Sequence, residues 1–301
     1  MASAEAAAVF QANQDLLAAW SAPDLGIDDF RRIFEDFLGG LAIPAGAEFE
    51  NVDAGGVPSI WAQAPGASAD KVILHFHSGG LVMGSAKGYR SFGANLSAAT
   101  GARVLLVDFR LAPEHAMPAQ LDDALAAYHW VLGQGVAPSS VMICGDSGGG
   151  GLALATLLAL RDRNEPLPAA GMAMSPLADW TMSGESMVTN ADKDPLVPGP
   201  GLLSMLAPMV LGEGGDAKDP YNSPVFGDYT GLPPLLVMAG SIETLRDDGY
   251  RVVQAAQAVG VDATWLEGED MVHIWPIFAD RLPEARATLE EMGAFARKHL
   301  R

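Results

Sequence analysis

A single α/β domain, built on a mostly parallel sheet flanked by helices, is predicted by three features of this 301-residue sequence. Short apolar runs recur at 72–76, 104–108, 141–145, 171–174, 235–239 and 263–266, and they are continuous rather than alternating. Such runs mark strands buried on both faces, as in a parallel sheet between helical layers. Helix-like segments near 88–99, 119–132, 148–161, 245–259 and 284–299 separate or follow them. Glycine-rich turns close two of the strands, at 79–80 and 145–151.

Ahead of this pattern lie two amphipathic helices. Val9, Phe10, Leu16, Leu17 and Trp20 share one face of the first. In the second, Ile27, Phe30, Ile33, Phe34, Phe37 and Leu38 follow a 3.6-residue period, and Gly39-Gly40 stops it. Residues 1–45 therefore form a helical appendage to a main domain over 46–301. Residues 175–234, rich in Pro, Gly and Asp, break the strand–helix rhythm and read as an insertion with one helix at 202–211. There is no internal repeat, and the only compositional bias is the Ala-rich start.

Composition removes several function classes. With 37 acidic against 18 basic side chains the net charge is −19, opposite to what nucleic acid or an anionic membrane surface requires. An apolar fraction of 49% is too high for a disordered chain. Cys144 is the only cysteine, so neither an intrachain disulfide framework nor a thiolate-rich zinc site is available. The longest apolar run, 148–160, is shorter than the ~20 residues of a membrane span. The N-terminus carries Glu5 and Asp15 and lacks a basic region, so it does not read as a secretory signal. A cytoplasmic location is the expectation.

Gly145-Asp146-Ser147-Gly148-Gly149 fits G-x-S-x-G, a short pattern whose meaning depends on context. Here a strand precedes it and a Leu- and Ala-rich helix follows. A serine on such a strand-to-helix turn is held strained and exposed, and the helix N-terminus offers a free N–H at Gly148. Trypsin-like proteases share the letters GDSGG, but their all-β folds are usually disulfide-bonded and place His and Asp before Ser. A phosphate loop is excluded because no Lys follows the glycines. After the strand at 72–76, His77-Ser78-Gly79-Gly80 lets the N–H groups of Gly79 and Gly80 point, with that of Gly148, into one oxyanion hole. His77 is expected to hold that loop by hydrogen bonds.

A serine nucleophile needs a base and the base a carboxylate. His75 and His77 belong to the strand end and the loop, His115 to a Pro-rich turn, and His129 and His299 to helices. His273, between the last strand and the last helix, lies at the carboxyl end of the sheet, where open α/β folds collect their sites. Glu243, Asp247 and Asp248 follow the strand at 235–239. Glu243 is nearest the strand end, while the two aspartates fall in the first helical turn, where acids offset the dipole. The order Ser147, Glu243, His273 is that of the α/β-hydrolase fold.

These motifs make the chain similar to the bacterial hormone-sensitive-lipase-like carboxylesterases of the α/β-hydrolase superfamily. The resemblance runs over nearly the whole length. His77-Ser78-Gly79-Gly80 resembles the family's His-Gly-Gly-Gly, and 108–115 its Asp-Tyr-Arg-Leu-Ala-Pro-Glu-His. Gly145–Gly149 matches Gly-Asp-Ser-Ala-Gly, and 243–249 matches Asp-Pro-Leu-x-Asp-Glu-Gly. By resemblance Ser147 is the nucleophile, His273 the general base then acid, and Glu243 the triad acid. Gly79, Gly80 and Gly148 furnish the oxyanion donors, and residues 110–115 form a structural brace. Residues 1–45, with part of 175–234, are the family's helical cap. Ser78, Gly148 and Glu243 depart from the usual Gly, Ala and Asp.

The implied activity is hydrolysis of short- to medium-chain esters through an acyl-enzyme, with no metal or organic cofactor. A small-molecule ester is the expected partner, and a homodimer is implied by resemblance alone. The alternatives are an ε-lactone hydrolase on the same triad, which the stretch 175–194 resembles, and a non-catalytic hydrolase-like ligand binder. Residues 1–70 carry a net −9, so neutral esters should be preferred over anionic ones.

Overall fold

The six continuous apolar runs become six strands of one eight-stranded sheet. The computed structural model describes residues 3–301, so the first two positions of the expected 1–45 unit lie outside it. In chain order the elements are α1 (Ala4–Trp20), α2 (Ile27–Gly39), β1 (Glu48–Asp53), β2 (Pro58–Gln63), β3 (Ser68–Phe76), α3 (Arg90–Thr100), β4 (Ala102–Val107), α4 (Ala119–Gly133), β5 (Val141–Asp146), α5 (Gly148–Asp162), β6 (Ala170–Met174), α6 (Ser186–Thr189), α7 (Gly201–Leu211), β7 (Leu235–Gly240), α8 (Arg246–Ala258), β8 (Ala263–Gly268) and α9 (Pro283–His299). The sheet order is β1-β2-β4-β3-β5-β6-β7-β8. From β4 to β8 every pairing is parallel, whereas β1–β2 and β2–β4 are antiparallel.

Every residue of β5, β6 and β7 is buried, which requires cover on both sheet faces. Helix α3 packs with α9, and α4 with α5. Strands β1 and β2 have no counterpart among the predicted elements. β1 (EFENVD) is an edge strand with no fully buried residue, so it carries no apolar run to read. Its hairpin signal is the Gly55-Gly56 turn, both residues at positive φ.

The N-terminal helices dock through the faces their period defines. Val9, Leu16 and Trp20 of α1 are buried, as are Phe34 and Leu38 of α2. Trp20 and Phe34 meet at 5.7 Å, and Phe37 meets Phe278 edge-on at 5.9 Å. Arg31 makes the polar attachment. Its Nε donates to Val82 O (2.9 Å), one Nη donates to Ala112 O (3.0 Å), and the guanidinium forks onto Glu114 (2.6 and 2.8 Å). The Arg31 guanidinium holds the Glu114 carboxyl down at a pKa of about 2, so this pair persists across the physiological range. Farther along the same motif, Arg110 grips Asp123 of α4 at 2.7 Å. The 110–115 stretch is thus a brace between helices and the main domain.

Arg31→Met should destabilise the fold by about 1–2 kcal/mol, because two buried carbonyls lose a charged donor. Urea unfolding of the two proteins checks this, and equal midpoints would show that apolar contacts alone seat the helices.

Candidate active site

The turn between β5 and α5 sets Ser147 at φ 53° and ψ −121°, a left-handed backbone for a non-glycine residue. Glycines around it are required sterically. A Cβ on Gly145 would overlap the carbonyl of Gly149, and one on Gly149 would overlap the carbonyl of Phe76 at the end of β3. The strained turn is fixed by its own hydrogen bonds. Ser147 N–H donates to Met174 O (2.9 Å), and its carbonyl accepts from Gly151 N–H (3.0 Å) and Leu177 N–H (2.9 Å).

The loop after β3 approaches this turn directly. Gly79 and Gly80 have φ of 108° and 60°, and the Gly79 carbonyl accepts from Val82 and Met83 N–H. Among the described residues, the N–H groups of Gly79, Gly80 and Gly148 donate to no backbone carbonyl. A Cβ on Gly148 would lie 3.0 Å from Gly80 Cα, so Gly at 148 allows a closer approach of the two segments than Ala would. His77 braces the loop: its Nδ1 donates to Ser78 O (2.8 Å) and its ring stacks on Phe109 at 4.3 Å. Burial pushes the His77 pKa down and keeps the ring neutral.

Glu243 and His273 are joined by a 2.8 Å hydrogen bond from Nδ1 to Oε2. The other carboxylate oxygen accepts from Gly240 N–H (2.5 Å) and from Ser175 Oγ (2.7 Å). Ser175 Oγ in turn accepts from Ile274 N–H (3.0 Å), so one hydroxyl ties the acid to the residue after the histidine. Burial disfavours the His273 cation, but the hydrogen bond and charge of Glu243 outweigh it and raise the pKa above the ordinary histidine value. The Glu243 carboxyl is pushed up by burial, against the stabilising contacts of His273 and Gly240.

Asp247 and Asp248 do occupy the first turn of α8, but offsetting a dipole is not their main task. Asp248 Oδ2 accepts from Ala178 N–H (2.9 Å), and Asp247 Oδ2 accepts from Ser186 N–H (2.9 Å). They anchor the 175–234 segment instead. That segment also reaches the acid loop through Asn190, which donates to the Glu243 carbonyl (2.9 Å), and Asp194, which accepts from Thr244 N–H (2.9 Å).

Ser147, His273, Gly79 and Gly80 line one cavity of about 40 Å³, walled by apolar side chains including Trp20, Phe34, Leu203 and Leu206. Ser147 and His273 both face that cavity. Gly148 stands behind Gly80. Among the described residues, no group of three His, Cys, Asp or Glu side chains is placed to hold a metal ion. Cys144 is buried in β5, where burial pushes its thiol pKa well up.

Residues 73–277 match the family described as alpha/beta hydrolase fold. The chain is 38% identical to an acetyl-hydrolase of Streptomyces hygroscopicus, over 87% of this chain and 86% of that one. It is 35% identical to an esterase of Acinetobacter venetianus, over 76% of each. The crystal structure of an esterase from the bacterial hormone-sensitive lipase family superposes with a TM-score of 0.96 at 41% identity, over 100% of both chains. The chain belongs to the hormone-sensitive-lipase-like esterases of the α/β-hydrolase superfamily. It is a carboxylic ester hydrolase.

Ser175 is the site residue that the motifs did not single out. Its signal is faint: a serine directly after an apolar strand, at φ 44° in the structure. If Glu243 is the acid that orients His273, Glu243→Gln should lower kcat about ten-thousandfold, the loss seen when a triad carboxylate is made neutral. Asp247→Asn should stay within about threefold, since it acts on Ser186 rather than on the imidazole. Steady-state kinetics on one soluble ester decides, and the reverse ranking would move the acid to Asp247.

Proposed function

We propose that this esterase works through an acyl-enzyme on Ser147, with His273 as base and then acid and Glu243 orienting it. The observation that carries this reading is the buried Glu243–His273 hydrogen bond, placed on the cavity that Ser147 faces from a strained turn. Ser147 Oγ attacks the ester carbonyl as His273 Nε2 takes its proton. The oxyanion is held by the N–H groups of Gly79, Gly80 and Gly148, each such donor contributing about 3–4 kcal/mol. His273 then protonates the leaving alkoxide, and water repeats the cycle to release the acid.

Residues 1–45 and part of 175–234 act as a cap, since Trp20 and Phe34 come from the first and Leu203 and Leu206 from the second. The bulky side chains that wall the cavity, Trp20, Phe34, Leu203 and Leu206 among them, favour the short end of the expected range of acyl groups. The net −9 of residues 1–70 favours neutral esters. Among the described residues no helix is long and apolar enough to cross a membrane.

Ser147→Ala should abolish turnover of p-nitrophenyl acetate, butyrate and octanoate, and the parent's kcat/KM should fall along that series. Ser147-independent turnover would overturn the mechanism. A matched neutral and anionic ester pair at low ionic strength tests the charge effect, where equal kcat/KM would refute it.

The pH profile gives a further check. A base works only when neutral, so kcat/KM should fall as pH drops through the His273 pKa, which lies above the ordinary value. Removing the Glu243 charge should move that acid limb to lower pH in the residual activity of Glu243→Gln. An unmoved limb would show that Glu243 does not set the imidazole pKa.

A further inference from the structure

The oxyanion loop and the nucleophile turn are joined by a buried hydroxyl chain that the triad does not use. Ser78 Oγ lies 2.5 Å from Tyr89 Oη, and the Tyr89 hydroxyl donates to Asp146 Oδ2 at 2.5 Å. All three residues are at most 2% exposed. Ser78 directly precedes the two glycines whose N–H groups are free, and Asp146 directly precedes Ser147. Tyr89 comes from a third segment, the turn before α3, where its ring stacks against His75 at 5.3 Å and meets Phe92 edge-on at 6.2 Å.

The chain has one direction. With the single phenol proton of Tyr89 donated to Asp146, the Ser78 hydroxyl is the group left to donate to the phenol oxygen. Burial first, and then the Asp146 charge, push the Tyr89 phenol well above its usual pKa, so it keeps its proton and its role as donor. Ser78 is also where this chain departs from His-Gly-Gly-Gly. A glycine there would have no hydroxyl to close the chain.

We infer that Ser78 and Tyr89 are positioning residues for ester hydrolysis, setting the distance between the Gly79–Gly80 N–H groups and Ser147 through Asp146. This rests on the oxyanion hole and nucleophile of the proposed mechanism. Oxyanion donors act only within about 2.7–3.1 Å of the developing charge. A displacement of about 1 Å, transmitted from outside the reacting atoms, can cost 10²-fold in rate. Because that charge is absent from the bound ester, the loss falls on kcat and leaves KM.

The test uses the full chain and four variants: Ser78→Ala, Ser78→Thr, Tyr89→Phe and the Ser78→Ala/Tyr89→Phe double. The readouts are kcat and KM on p-nitrophenyl acetate, the rate of Ser147 phosphonylation by a p-nitrophenyl alkylphosphonate located by mass spectrometry, and urea midpoints. Ser78→Ala and Tyr89→Phe should each lower kcat and the phosphonylation rate about tenfold or more, with KM within about twofold. The double should lie within about twofold of Tyr89→Phe, since the two act as one unit. Ser78→Thr, which keeps a hydroxyl, should recover most of the rate.

Tyr89→Phe removes the phenol donor from the buried Asp146 carboxylate, whose other oxygen lies 3.0 Å from His75 Nε2. If it does not fold, Ser78→Ala and Ser78→Thr carry the test, because both leave the Tyr89–Asp146 bond in place. Losses that multiply in the double, or lowered urea midpoints with unchanged kcat, overturn the inference. So does a raised KM in Ser78→Ala beside an unaffected Tyr89→Phe, which would put Ser78 in direct contact with the ester. A parent enzyme phosphonylated elsewhere than Ser147 would overturn instead the mechanism beneath it.

Discussion

The first turn of α5 lies against the end of β3 with no side chain between them, and the geometry of the site depends on that contact. A Cβ on Gly149 would overlap the Phe76 carbonyl, and one on Gly151 would overlap the Leu177 carbonyl. Backbone-to-backbone packing of this kind brings the loop after β3, the turn after β5 and the loop after β6 to one point. Four consecutive glycines make a poor start for a helix, each about 1 kcal/mol worse than Ala. The rest of α5 compensates by burial: every residue from Leu152 to Leu160 is inside. Tertiary packing holds the helix, and the N-terminus it delivers is rigid and free of side chains.

The acid side of the site is held differently, by polar contacts from the 175–234 insertion. Ser175, Asn190 and Asp194 all bond to Glu243, its backbone or its neighbour Thr244, while Asp247 and Asp248 bond back to the insertion. The insertion thus supplies a wall of the cavity through α7 and the scaffold of the carboxylate through its first twenty residues. Changes in this segment that alter pocket shape also act on the Glu243–His273 pair, because the same stretch of chain does both jobs.

Much of this was legible because its physics is local. Continuous apolar runs marked β3 to β8, and the glycines around Ser147 announced a turn only glycine can make. The order of Ser147, Glu243 and His273 followed from their places after successive strands. What was not legible depends on partners distant in sequence. β1 is stabilised by one neighbour and exposes most of its residues, so its composition resembles a loop. Tyr89 looks like an ordinary core aromatic until Ser78 and Asp146 are brought to its hydroxyl. Asp247 and Asp248 read as helix-dipole acids because nothing near them in sequence shows that 178 and 186 fold back onto them.

The apolar cavity sets a conflict that the polar contacts resolve. Excluding water strengthens N–H donors toward an oxyanion. The same exclusion disfavours the Glu243 carboxylate, which burial pushes toward its neutral form. The proposed mechanism needs Glu243 ionised, to orient the imidazole and stabilise its cation. Glu243 receives three donors, from Gly240, Ser175 and His273, which occupy both oxygens and favour the charged state. Ser175 stands at φ 44°, and Ile274, whose N–H binds the Ser175 hydroxyl, at φ 49°. Backbone strain at such positions is typically about 1–3 kcal/mol each. The left-handed Ser175 and Ile274, which bond to Glu243 and to each other, therefore belong to the same arrangement as the left-handed Ser147. Strain places the donors that favour a charged carboxylate beside the apolar cavity that Ser147 and His273 line.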